Sequence, residues 1–302
     1  MPSPLFRRPR AAACACVALL LLGTVPATHA LPDVITHYRG HVGADRIDLV
    51  LAHDAAWNAM GGFLLAADHR RIALERTPYA EDAPLVISTE GVGGDLPEAA
   101  LALRPFGASA SQLHGRWVDL RTREARPLDL QRVTRFETGP DTPAFAGDLL
   151  QDTPGGDRTF SVHASKPAGA PTGRVDRIEV RDATTGALLQ ALDGLDLWFG
   201  GTGTLEVLQI DGDGIGDVRA TGFGDGNRAG PVQYFLSQGG GYRRAPALEA
   251  LAARGALRFE DGEASLRLSE TIDWDDRTCL WEVHRFSGPL TLEHVDSRRE
   301  AC

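Results

Sequence analysis

Strand-like runs follow one another along almost the whole sequence. VITHYRG, RIDLVLA, MGGFLLA and RRIALER come first, then PLVISTE, AALALRP, LHGRWVDL and RPLDLQRV. In each, apolar residues partly alternate with polar ones, the period of a half-buried pleated strand, and Gly, Pro, Asp or His breaks the run. After a stretch rich in Gly, Pro and Asp at 138–158 the pattern resumes with TFSVHAS, RVDRIEVRD, ALLQALD and LDLWFGG. It continues through LEVLQID, GDVRATG, VQYFLSQ, GYRRA, ALRFED, ASLRLSE, CLWEVHRF and PLTLEHVD. The convincing helical segment is APALEALAA, at 245–253, and it is short.

About twenty short strands punctuated by turns indicate an all-β sandwich, barrel or propeller. Twenty is five blades of four, so the expected architecture is β-propeller-like, with five blades of short antiparallel strands. No clean sequence repeat accompanies that number. The alternative is two successive β-subdomains divided near 138–158. Gly139–Gly156 reads equally as an inter-domain linker or a long functional loop.

The first thirty residues have a different character. RRPR at 7–10 is a positive segment, Ala11 to Leu22 is apolar, and ATHA ends on the small residue Ala30. This is the pattern of a secretory signal peptide; the apolar run is too short to span a bilayer. Cleavage is expected after Ala30, with Ala27 as the alternative, leaving 31–302 as a single all-β domain. Cys14 and Cys16 lie at the start of the apolar run, where a lipid-acceptor cysteine does not belong, and RRPRAAA lacks the rest of a twin-arginine pattern. No later segment is apolar enough to cross a membrane.

Export leaves two cysteines, Cys279 and Cys302, which in an oxidising compartment are expected to pair. It also removes Arg7, Arg8 and Arg10, so 28 basic residues face 41 acidic ones and the formal charge moves from -10 to -13. Such a surface disfavours nucleic acid and anionic membranes and steers toward a cationic partner.

The densest motif is LQIDGDGIGDVRATGFGDGN, at 208–227. From its third position on it follows D-x-[DN]-x-D-G-x-x-D, the oxygen-ligand spacing of calcium loops. Every second side chain turns toward the ion, and Gly at the sixth position permits the sharp turn. The register places Gln209 first, Asp211 third, Asp213 fifth and Asp217 ninth, with the backbone carbonyl of Ile215 at the seventh position. Gln209 stands where an acid is usual. Ala220 occupies the twelfth position, so the bidentate Glu of an EF-hand is missing. The expectation is a strand–loop–strand Ca²⁺ site at 209–217. Mg²⁺ retains its waters too strongly, and zinc or copper would call for His or Cys. The competing reading is an Asp/Gly turn that binds nothing. Asp225 and Asn227 either complete the site or form a plain turn.

No nucleophile elbow, zincin, P-loop or dinucleotide motif occurs, and the chain is not expected to be an enzyme. His37 and His41 are expected in surface or turn roles. Trp198, Trp274 and Trp281 are expected in packing.

The run LEVLQIDGDGIGDVRATGFGDGN…VQYFLSQGGGYRRAPALEAL resembles the C-terminal signature of periplasmic immunity proteins of the bacteria-killing type IV secretion system of xanthomonads. HYRGHVGADRIDLVL, MGGFLLA and LHGRWVDL are similar to that family's N-terminal strands, and CLWEVHRFSGPLTLEHV to its closing hairpin. The resemblance implies a periplasmic protein with a calcium-binding β-propeller-like fold that inhibits a secreted peptidoglycan hydrolase. The partner would be a cell-wall hydrolase effector, expected to be basic, met by a monomeric inhibitor. The chain departs from the family in lacking a lipobox and in having Gln209 for an acid. A calcium-dependent FG-GAP-like module gripping a glycan or surface protein is the alternative.

Overall fold

The structure, a computed structural model, describes residues 33–302 except 92–95, 155, 225–229, 261–262, 274–276 and 289. All of these belong to one unit, Leu31–Cys302. The expected leader, Asp225, Asn227 and Trp274 lie outside the described residues.

Eight antiparallel strands come first: β1 (Val34–Val42), β2 (Asp45–Asp54), β3 (Ala59–Leu65), β4 (Arg71–Pro78), β5 (Leu85–Ser88), β6 (Ala99–Leu103), β7 (Gln112–Asp119) and β8 (Ala125–Glu137). They form one sheet in the order β4-β3-β2-β1-β8-β7-β6-β5. The join is β1 against β8, paired from Val34↔Glu137 to Val42↔Leu128. Gly40 permits it, because a Cβ there would lie 2.0 Å from the Asp129 carbonyl oxygen. At the other end of the order, a bridge between Leu74 and Thr89 and a 2.9 Å hydrogen bond from the Glu90 N–H to the Ala73 carbonyl bring β4 to the end of β5. The sheet is thus a nearly closed, barrel-like one.

Alternation along the strands fills both of its faces. Ile47, Leu49 and Leu51 of β2 join Tyr38, Met60, Leu64, Leu101, Leu113 and Leu130 in one buried cluster. Val50, between them, joins Ile35, Phe63 and Phe136 in a second cluster. That cluster continues into Phe160, Val162, Ile178, Leu197, Phe235 and Tyr242, so the eight-stranded sheet shares a core with the sheets that follow.

The remaining twelve strands form three four-stranded antiparallel sheets. The first holds β9 (Phe145–Leu150), β10 (Arg158–Lys166), β11 (Arg174–Asp182) and β12 (Leu188–Trp198). The second holds β13 (Leu205–Leu208), β14 (Asp217–Thr221), β15 (Val232–Gln238) and β16 (Gly241–Arg244). The third holds β17 (Ala256–Phe259), β18 (Ser265–Asp273), β19 (Thr278–Gly288) and β20 (Thr291–Ala301). Helix α1 (Pro246–Ala252) precedes β17, with Pro at its start and Leu248 fully buried.

Among the described residues there are twenty strands, in line with the expected number of about twenty, and the sheet order groups them as one eight-stranded and three four-stranded sheets. β1–β4 and β5–β8 are instead joined into one sheet by the β1–β8 ladder. The 138–158 stretch is not a bare linker either, because β9 lies within it. Its first part is held by Lys166, the only lysine, which is buried at the end of β10. The Lys166 ammonium donates to Thr142 Oγ1 at 2.7 Å and to the Pro143 carbonyl at 2.9 Å.

Candidate metal centre

Leu208 pairs with Asp217 at the ends of β13 and β14, and residues 209–216 make the connection between them. The apolar floor of the loop is Ile210, fully buried with Tyr234, Leu236, Leu248 and Leu266. Gly212 and Gly214 take φ of 75° and 84°, the left-handed turns that only glycine adopts without strain. A Cβ on Gly212 would also lie 2.6 Å from the Glu263 carbonyl carbon, so the loop is pressed against the turn before β18.

Each acidic residue of the loop has a distinct setting. The Asp213 N–H donates to Asp211 Oδ1 at 3.2 Å, and the Ile215 N–H donates to Asp213 Oδ1 at 2.7 Å, forming successive Asx turns. Asp217 is completely buried. Its Oδ2 accepts the Ile210 N–H at 2.9 Å and its Oδ1 accepts the Ser237 N–H of β15 at 2.8 Å. Burial pushes the Asp217 carboxyl up to about 6, against the pull of those two N–H groups, and the Asp211 charge adds to the rise. Burial also raises Asp211, and the charge of Asp213 reinforces it. Gln209 is half-buried and Ile215 is exposed.

The three carboxylates therefore sense one another, yet they do not converge. Among the described residues no three His, Cys, Asp or Glu side chains are gathered as a metal-holding group. In donor chemistry the loop fits a hard cation. It offers carboxylates, an amide and a carbonyl, all oxygen donors, and one of the carboxyls is buried where ionisation is disfavoured. Gln209, Asp211, Asp213, the Ile215 carbonyl and Asp217 are the residues that would hold Ca²⁺.

Cys279 and Cys302 are joined by a disulfide, with Cα atoms 5.1 Å apart. The bond links β19 to the residue after β20, and the Cys302 N–H donates to the Arg277 carbonyl at 2.8 Å. Among the described residues no helix is long and apolar enough to cross a membrane.

Two placements correct the reading of the sequence. His37 is buried, with Nε2 2.6 Å from Asp48 Oδ1, whereas a surface or turn role was expected. Arg39, directly across the ladder from Asp48, donates to the same oxygen at 2.8 Å. Burial alone would raise the Asp48 carboxyl, but the His37 hydrogen bond and the charges of His37 and Arg39 outweigh it and hold the carboxyl low. The signal was present in the alternation of 37 with 39 and of 46 with 48. The strand pairing that makes it meaningful was not. Trp198, expected in packing, is 44% exposed at the end of β12, with the Arg174 guanidinium 5.0 Å over its ring.

No family model matches the chain, and no curated protein matches it. Among solved structures, it is similar to a hypothetical selenium-binding protein from Sulfolobus tokodaii. The match has 9% identity over 90% of this chain and 75% of that one. Its TM-score is 0.26, a likeness too slight to carry an argument about fold or function.

Proposed function

We propose that this protein is a periplasmic inhibitor of a secreted peptidoglycan hydrolase, built on a rigid β scaffold whose 209–217 loop is completed by a structural Ca²⁺. The carrying observation is Asp217. A buried carboxyl bonded to both its own loop and β15 ties the loop to the sheet, and burial penalises its charge. A cation held there would offset that penalty and fix the loop geometry. The role is structural, and no catalytic step is assigned to the chain. The resemblance carried by the 205–251 run supplies the hydrolase, and an excess of acidic residues would speed encounter with a basic one.

The test is turbidity loss of purified cell walls by the co-encoded hydrolase, titrated with the purified protein. The expected result is complete inhibition at one-to-one stoichiometry. A nanomolar constant is expected, about -12 kcal/mol, because the inhibitor must outcompete a polymeric substrate. Undiminished hydrolysis at a several-fold excess of folded, calcium-loaded protein would refute the inhibitor reading and favour the FG-GAP-like binding module.

A further inference from the structure

A cavity of about 660 Å³ opens into the eight-stranded sheet. Val42, Ile47 and Leu64, three members of the buried cluster inside that sheet, form part of its lining, together with Ile72 and Trp117. Small closed sheets of eight strands have interiors of the size that holds one small ligand, and ligand cavities typically combine apolar walls with a few polar groups.

The charged groups around this cavity are unevenly satisfied. Arg126 donates to Asp45 at 2.6 Å, and Arg71 donates through Nη2 to Asp152 at 2.9 Å. The Asp119 carboxylate accepts the N–H groups of Arg121 and Thr122. Glu90 and Glu98 also line the cavity. Both are exposed, and among the described residues neither carboxylate makes an ion pair or hydrogen bond; Glu90 acts on Arg71 only through space.

Their position is unusual. The β5–β6 register runs from Leu85↔Leu103 to Ser88↔Ala100, and the Thr89 N–H continues it by donating to the Ala99 carbonyl at 2.9 Å. Glu90 and Glu98 lie just beyond that end of the pairing, where the Glu90 N–H turns to the Ala73 carbonyl and the Glu98 carbonyl accepts the Leu120 N–H. Two carboxylates lining one cavity repel each other, and a cation bound there offsets the repulsion.

We propose that this cavity binds a small amphipathic monocation, an amine or guanidine with an apolar body. The apolar body packs against Val42, Ile47, Leu64 and the Trp117 ring, and the cationic head lies at Glu90 and Glu98. Charge complementarity selects the sign of the ligand and the apolar wall selects its body. The proposal is independent of the inhibitor reading and of the calcium loop.

Isothermal titration of the purified protein with n-octylammonium, n-octanoate and n-octanol tests it, with Trp emission as a second readout. Octylammonium should bind saturably, and more tightly than octanol, and octanoate should bind most weakly. The double variant Glu90→Gln/Glu98→Gln changes only exposed side chains. It should weaken octylammonium about tenfold, the combined worth of two exposed charge contacts. Octanol binding should be unchanged, and the unliganded variant should melt no lower than the native chain. An Ile72→Trp variant, which fills the apolar wall, should weaken all three. Absence of saturable octylammonium binding, octanoate binding as tight as octylammonium, or octylammonium binding unaffected by the double variant overturns the proposal.

Discussion

Asp48 meets the His37 and Arg39 side chains at the face of β1 and β2, and its carboxyl is held below the ordinary range once those contacts outweigh burial. A carboxyl depressed in the folded state adds stability that is present above its unfolded value, about 3.9, and is lost as pH falls through the lower folded value. Urea unfolding midpoints measured downward from neutral pH should therefore fall less steeply in Asp48→Asn than in the native chain. Equal slopes would show that the triad carries no such linkage. At the loop, the strand–loop–strand connection with its glycine turns was legible from spacing alone, because alternate Asp residues and glycines form a local pattern. The burial of Asp217 was not legible, since the groups that enclose it include Ser237, twenty residues away in sequence.

Among the elements, β20 is the most exposed: nearly every residue from Thr291 to Ala301 is open to solvent. Its charged residues guard that edge, and the disulfide anchors its end. Replacing Cys302 with Ser should lower stability by up to about 3 kcal/mol, the expected scale for a loop of this length. The loss should appear in denaturant melts, with amide exchange in β20 accelerating first. Gly212→Ala should be costly as well, because a side chain there meets both a left-handed φ and the Glu263 backbone. We expect a loss of at least about 1 kcal/mol, read from the same melts. Strand positions and α1 were legible because period-two and helical spacing record which residues are buried. The β1–β8 ladder was not. Alternation says which face of a strand is covered, not which strand lies beside it, and Gly40 takes its meaning only from the close approach of β8.

At the scale of the whole molecule, one core cluster joins residues of β1–β3 to residues of β8–β16, including Leu205 and Val218 of the strands that flank the β13–β14 loop, so disturbance of that loop should be felt as global rather than local stability. The acidic surface acts at the same scale. Moderate salt should slow association with a basic hydrolase more than it alters dissociation, as stopped-flow mixing at two ionic strengths would show. The most direct test of the account is thermal unfolding near neutral pH, in calcium and in chelator, for the native chain and for Asp213→Ala. A ligand held only by the folded state adds about 2.7 kcal/mol at a hundredfold excess over its Kd, so calcium should raise the native melting temperature by several degrees. That gain should be largely absent in Asp213→Ala. A native melting temperature that is the same in calcium and in chelator would contradict the claim that the 209–217 loop is completed by a cation.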